Sequence, residues 1–364
     1  LTQMYLPEPT RLQLEISSMC NALCFGCART NHLNFNGKMP TIPDKKILQL
    51  DVIEKFLNEF ETVTDLDFCG TVDDPFMHPQ FNDILRLALK CGIKKVWIHT
   101  NGSTRNPSYW AETAEILQQF DRHQLKFSID GLQDTNHIYR QRTNFDRIMQ
   151  NAESFIQAGG DAGWQYLVFP WNKHQVEEAS EKSKQMGFKH FIHRLDRSMI
   201  SENNWEIEDI RRIQAEDKQY NNSSPDDLDK FFISKKSVEN DPIDCFFQRQ
   251  KMYFIDFNAR LWPCCFIRNT EFGGHNTHWH QVSKTMYSEY SSPDWNRLDL
   301  HSVDEILNHP FYKKDLVGSF DSEYGTSCGS KMVKCASTCS KKVQETKPIA
   351  KFKIDEHIME SKNE

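Results

Sequence analysis

Cys20, Cys24 and Cys27 stand at a CxxxCxxC spacing just after an alternating apolar run, Leu12-Gln-Leu-Glu-Ile16. Three thiolates on one strand-exit loop can hold three irons of a [4Fe–4S] cube, which leaves the fourth iron without a protein ligand nearby. Most electron-transfer clusters use four cysteines, whereas a catalytic metal keeps an open position for its substrate. Half of a structural zinc site and ordinary buried thiols are the competing readings. No further CxxC pair exists in the chain to complete a zinc site.

A second cysteine group lies far downstream: Cys245, Cys264, Cys265, Cys328, Cys335 and Cys339. Cys245 precedes a strand pattern, Tyr253-Phe-Ile-Asp-Phe257, and a turn at Asn258-Ala259 would make a hairpin that brings Cys264 back toward Cys245. Six cysteines compete for at most four positions on one cluster, with a four-cysteine zinc site as the rival. His275, His278 and His280 form an HxxHxH group in a Gly-rich loop, read first as an exposed polar loop. Cys69 and Cys91 stand alone and read as small buried hydrophobes.

The elements that must position these residues alternate strand and helix. Strands are expected at Leu12–Ile16, Val63–Phe68, Val96–His99, Leu125–Ile129, Gln165–Phe169 and Phe188–His193. Helical spacing covers Lys46–Phe60, Phe81–Lys90, Tyr109–Phe120, Phe145–Ala158, His174–Met186 and Trp205–Tyr220, with Gly92, Gly159-Gly160 and Gly187 as stops. Six successive units imply a parallel sheet with right-handed crossovers, met by a doubly wound sheet or an incomplete barrel. In both, ligands sit at the carboxyl ends of the strands. The Cys20–Cys27 loop lies there. So do Gly70-Thr-Val-Asp-Asp74-Pro75, Thr100-Asn101-Gly102, Ser128-Ile-Asp130-Gly131 and Phe169-Pro-Trp-Asn172. By themselves the first two are also ordinary turns, and His99 and His193, near strand ends, are as readily core histidines.

The cysteine spacing resembles the cluster motif of the radical S-adenosylmethionine (radical SAM) superfamily. The resemblance implies a partial (β/α)6 TIM-like barrel followed by a small α+β auxiliary-cluster domain. It implies a cluster on Cys20, Cys24 and Cys27 whose open iron is chelated by S-adenosylmethionine, reductive cleavage to a 5′-deoxyadenosyl radical, and hydrogen-atom abstraction from substrate. Where the family usually has an aromatic before the last cysteine, this chain has Gly26, with Phe25 one place earlier. The Gly70–Pro75 segment resembles a longer variant of the family's Gly-Gly-Glu-Pro segment, which binds the amino group of the cofactor, with Asp74-Pro75 in place of Glu-Pro. Asn101, Ser128 and Asp130 fall in segments like its ribose- and methionine-contacting loops, and Arg140 is similar in place to an arginine that would pair with the cofactor carboxylate. Backbone around Phe169–Asn172 would bracket adenine. No catalytic residue is assigned.

The downstream half resembles the SPASM and Twitch auxiliary-cluster signature, with Ala259 where glycine is usual and Cys335 and Cys339 as its closing CxxxC. The CxxC of the longer form is missing, so the resemblance is to Twitch, with one auxiliary [4Fe–4S] cluster on Cys245, Cys264, Cys335 and Cys339. Cys328 is first reserve and Cys265 second. Leu300–Tyr312 reads as the intervening helix. The implied division is a core at 1–220, a linker at 221–240 (polar at Ser-Ser-Pro-Asp-Asp), an auxiliary domain at 241–345 and a Lys/Glu-rich flexible tail at 346–364. Relatives with such domains modify ribosomally made peptides, oxidise sugar-like alcohols or act on nucleotides. A peptide modification is the expected activity, driven by an external one-electron reductant such as flavodoxin or ferredoxin. A non-catalytic iron–sulfur carrier or sensor is the rival, but a carrier needs no nucleoside pocket.

Composition limits the remaining choices. The chain has 364 residues, 38% hydrophobic and 12% aromatic, enough for one large and one smaller domain. Forty-four basic against 51 acidic residues give a formal charge of -7, which argues against a broad nucleic-acid surface. No apolar run approaches a membrane span. The chain begins at Leu1 rather than Met and shows no basic-then-apolar signal pattern. Eleven cysteines at uneven spacing suit metal ligation in a reducing, cytoplasmic setting rather than a disulfide framework.

Overall fold

Short apolar runs alternating with helical spacing fold as parallel β/α units in a computed structural model of the chain, which describes residues 8–24, 27, 29, 45–169, 171–195, 241–269, 293–323 and 331–341. The strands are β1 (Arg11–Leu14), β2 (Asp65–Phe68), β3 (Lys95–Thr100), β4 (Arg122–Ser128), β5 (Ala162–Val168), β6 (His190–Leu195), β7 (Met252–Ile255) and β8 (Leu261–Trp262). The fold class is α/β, as the alternation implies. Described residues up to 20, from 27 to 96 and from 241 to 341 form one compact unit, and 21–24 with 97–195 form another.

In the first unit the order is β2-β1-β7-β8. β1 pairs in parallel with β2, Arg11 opposite Asp65, and with β7, Arg11 opposite Met252. β7 and β8 form the antiparallel hairpin read from the sequence. Its turn places Ala259 at φ 59°, a left-handed conformation that ordinarily favours glycine. Asp256 offsets that cost. Its Oδ1 accepts from the amides of Asn258 (2.8 Å) and Arg260 (3.1 Å), and its carbonyl accepts from Ala259 N at 2.9 Å. β1 is enclosed on both faces, so polar Gln13, and Glu15 just past the strand, are buried along with Leu12 and Leu14. Helix Phe81–Lys90 turns Phe81, Ile84, Leu85 and Ala88 inward, Phe81 meeting Phe68 edge-on at 5.2 Å.

In the second unit β4, β5 and β6 are parallel, with β3 beside β4. Helices Pro107–Leu117 and Phe145–Gln157 start at side-chain caps, Asn106 accepting from Tyr109 N and Asn144 from Arg147 N. Their inner faces and the strands share an aromatic core of Trp110, Phe127, Phe155, Trp164 and Phe188. Gly159 and Gly187 end their helices at positive φ, as expected.

Two expectations fail locally. The helix read over Lys46–Phe60 starts at Leu50. Ile47 instead bridges Ser17 antiparallel, with Leu48 N donating to Ile16 O and Ser18 N to Lys46 O, each at 2.8 Å. Leu300–Tyr312 is not one helix. A capping box of Ser302 and Glu305 starts a short helix, Val303–Leu307. After Pro310 the chain resumes as a π-helical turn, Phe311–Asp315, and helix Leu316–Asp321. Helix Trp205–Tyr220, the linker 221–240, the tail 346–364, Phe25, Gly26, Cys328 and His275, His278 and His280 lie outside the described residues. No described helix is long and apolar enough to cross a membrane.

Candidate cofactor sites

In the second unit Cys24 is buried, and Arg140 Nη1 donates to its Sγ at 3.6 Å. The same guanidinium donates through Nε to Asp130 Oδ2 at 2.6 Å. Burial works against the charge on Arg140, but Asp130 and then Cys24 outweigh it and hold the guanidinium pKa above its ordinary value. Asp130 is fully buried, and its other oxygen accepts from Leu167 N at 2.6 Å. Both carboxylate oxygens are thus engaged within the protein. Arg140, expected at a cofactor carboxylate, bridges the segment after β4 to the cysteine loop. Leu23 N donates to Gln141 O at 3.0 Å, and Asn101 Nδ2 donates to Asn21 Oδ1 at 2.8 Å, so both ends of this short segment are held. Asn101 Oδ1 also accepts from Ser103 N at 2.9 Å. Ser128 ends β4 opposite Gln165.

Sequence reasoning gave Asn172 no side-chain role, yet it knits the loops after β4 and β5 together. Its Nδ2 donates to the carbonyls of Asp130 and Leu167, both at 2.9 Å, and its Oδ1 accepts from Phe169 N at 2.7 Å. Phe169 stacks on Trp171 at 4.6 Å and leans on Tyr139. His99 is on β3, and His193 is exposed on β6.

In the first unit, Cys20 and Cys27 are half-buried, with Cys27 Sγ 3.9 Å from Thr71 O. Arg29 donates to the carbonyls of Ser18 and Val72. In the Gly70–Pro75 loop, Asp74 caps the turn Pro75–Met77, Oδ1 accepting from Phe76 N at 3.1 Å, while its own amide donates to Met19 O at 2.9 Å. The neighbouring Asp73 folds inward, and Oδ2 accepts from the amides of Ile16 (3.0 Å) and Ser17 (3.2 Å). A Cβ at Gly70 would lie 1.8 Å from Asp73 Oδ1, so only glycine admits this fold-back. Desolvation, then the charge of Glu15, push the Asp73 pKa well above the ordinary carboxylate range, against the pull of the Ser17 amide.

Far along the same unit, Cys245, Cys264, Cys335 and Cys339 line one cavity, walled by apolar groups including Phe247, Ile267, Leu316 and Phe320. The Cys245 and Cys339 segments run antiparallel, with Asp244 N donating to Cys339 O at 2.7 Å and a bridge between Ile243 and Ser340. The β7–β8 hairpin returns Cys264, whose Sγ accepts from Ile267 N at 3.4 Å. Burial, then neighbouring thiols, Cys265 first for Cys264 and Cys339 first for Cys335, push both pKa values well up. Four thiols converging in an apolar hollow are a donor set that fits an iron–sulfur cluster or a zinc ion. Cys265 is not among those lining the cavity. Burial pushes its thiol up to about 12, with the carboxylates of Glu15 and Asp67 as the next causes.

Residues 14–182 match the family model described as the Radical SAM superfamily. Streptococcus suis SuiB bound to precursor peptide SuiA is similar at 16% identity and a TM-score of 0.51, over 90% of this chain and 70% of that one. Native anSMEcpe with bound AdoMet is similar at 14% identity and a TM-score of 0.50, over 93% of this chain and 96% of that one. Against S. suis SuiB bound to S-adenosylmethionine, the identity is 15% and the TM-score 0.46 over 71% of this chain, which spans only 61% of that protein's length. No curated protein matches the sequence. Identities this low show the α/β fold alone. Residues 14–182 thus form a radical SAM domain, a family whose cofactors are a [4Fe–4S] cluster and S-adenosylmethionine.

Proposed function

We propose that this chain is a radical SAM enzyme that modifies a peptide, with the cofactor-binding cluster on Cys20, Cys24 and Cys27. The observation that carries this reading is Cys24, inside the matched domain, sitting under an arginine that Asp130 fixes. A guanidinium donating to sulfur suits an anionic ligand. When bound, the cluster and S-adenosylmethionine supply one-electron chemistry that removes a hydrogen atom from an unactivated C–H bond. The protein's share is orientation and exclusion of water. Arg140 and Asn101 hold the Cys24 loop from two sides, and Asn172 sets the loop after β5 against the loop after β4. Gly70, Asp74, Ser128 and Asp130 line the cofactor's binding loops, Asp74 capping the turn Pro75–Met77 and Asp130 fixing Arg140.

A core at 1–220 and an auxiliary domain at 241–345 complete the proposal. There Cys245, Cys264, Cys335 and Cys339 hold a Twitch-type [4Fe–4S] cluster, which the convergence of their thiols supports. A peptide substrate is favoured because SuiB, of like fold, binds a precursor peptide. The setting is cytoplasmic, with a flavodoxin- or ferredoxin-like reductant. Anaerobically reconstituted protein given dithionite and S-adenosylmethionine should form 5′-deoxyadenosine, and Cys20→Ala/Cys24→Ala/Cys27→Ala should form none. Product from the triple variant would refute the assignment. A short peptide that raises turnover would support peptide modification, and stimulation only by a sugar alcohol would replace it.

A further inference from the structure

Glu15, one residue past β1, is fully buried and acts as a hub. Its Oε2 accepts from Thr71 N (2.6 Å), Thr71 Oγ1 (2.5 Å) and Val72 N (2.9 Å). Its Oε1 lies 2.8 Å from Arg268 Nη2. Arg268, also fully buried, sits on helix Cys265–Asn269, immediately after Cys264, and its amide donates to Cys264 O at 3.2 Å. On its other side Arg268 Nε is 3.4 Å from Asp256 Oδ2, the residue that shapes the hairpin turn and accepts from Trp262 Nε1 at 3.0 Å. The guanidinium also lies over the ring of Phe257 at 5.1 Å, and Phe257 packs with Val72. One cation therefore holds two buried carboxylates that belong to different jobs. Glu15 fixes the amides of the 70–74 loop, and Asp256 fixes the hairpin that delivers Cys264.

Burying three charges is costly unless each is met, and a buried carboxylate that loses its cation must be neutralised or move. A fork that reaches two carboxylates at once is a task for arginine rather than lysine. We propose that Arg268 is the positioning residue for the Gly70–Asp74 loop, tying the order of that loop to the helix that follows Cys264. The cofactor consequence rests on the reading of this loop as part of the S-adenosylmethionine site.

The test uses the full, reconstituted chain with Arg268→Met and Arg268→Lys. Amide hydrogen exchange over 70–74 should speed up by about tenfold in Arg268→Met and by a smaller factor in Arg268→Lys, while helix Phe81–Lys90 keeps its protection. The S-adenosylmethionine Kd, measured by equilibrium dialysis, should rise by about tenfold in Arg268→Met with iron content unchanged, a split that general unfolding would not give. If Arg268→Met does not fold, Arg268→Lys decides alone. Parental exchange over 70–74 in the folded variants overturns the proposal. Faster exchange with an unchanged Kd upholds Arg268 as the positioning residue and removes the loop from the cofactor site, so the two readings fail separately.

Discussion

The two cysteine regions solve opposite problems. Cys24 has a charged neighbour, with Arg140 donating to its sulfur and Asp130 fixing Arg140. Cys264 and Cys335 face apolar walls and other thiols, which push their pKa well up. The first environment suits an anionic ligand even before a metal arrives. The second is unfavourable for thiolates unless a metal takes them. The difference follows the division between metal sites that keep a position open and sites closed by four protein ligands. A metal bound by the four thiols of the second site would relieve the cost that burial places on their ionised form there.

The largest effect should come from breaking the closed site. Cys339→Ala is expected to lower the iron content by about four, for one cube, and to make residues 241–341 more protease-sensitive, because the Cys245 and Cys339 segments meet there. Limited proteolysis with iron analysis checks both. Cys265→Ala should do neither, since Cys265 is not among the residues lining the cavity. Breaking the charged site should act on stability instead. Arg140→Met leaves Asp130 buried without its cation and should cost about 3 kcal/mol in denaturant unfolding, with partial recovery in Arg140→Met/Asp130→Asn. Additive losses in the double variant would show that the pair is not coupled.

The smallest effect concerns Asp73. Its folded pKa is raised, so the folded state holds a proton that the unfolded chain releases near the ordinary carboxylate value. Its contribution to stability is therefore full below that value and falls as pH rises toward the raised one. Asp73→Asn should remove this decline and leave the variant the more stable above the window. A parental pH profile in the variant would show that Asp73 does not titrate as the geometry implies.

Much of this was legible in the sequence where periodicity and spacing carry the signal. The strands of the parallel units fall within a few residues of their expected places, and a hairpin turn at Asn258-Ala259 follows from the strand pattern on either side of it. Local spacing failed where a long-range partner decides. Ile47 continues an amphipathic pattern, but its bridge to Ser17 keeps it out of the helix. Glu15 sits at the polar position of an alternating strand, so its burial is invisible until β7 is seen to pair with β1. The inward fold of Asp73, whose carboxylate accepts from the amides of Ile16 and Ser17, is likewise set by a partner far away in sequence. Nothing near Arg268 in sequence announces a partner some 250 positions away.

Iron and acid-labile sulfide, counted per chain in three anaerobically reconstituted preparations, test the two-site arrangement most directly. The parent should hold about eight iron atoms, Cys20→Ala/Cys24→Ala/Cys27→Ala about four and Cys339→Ala about four, with S-adenosylmethionine cleavage surviving at most in the last. Four iron atoms in the parent that vanish with the triple variant, together with one equivalent of zinc, would contradict the second cluster. Iron retained at the parental level in both variants would contradict both sites.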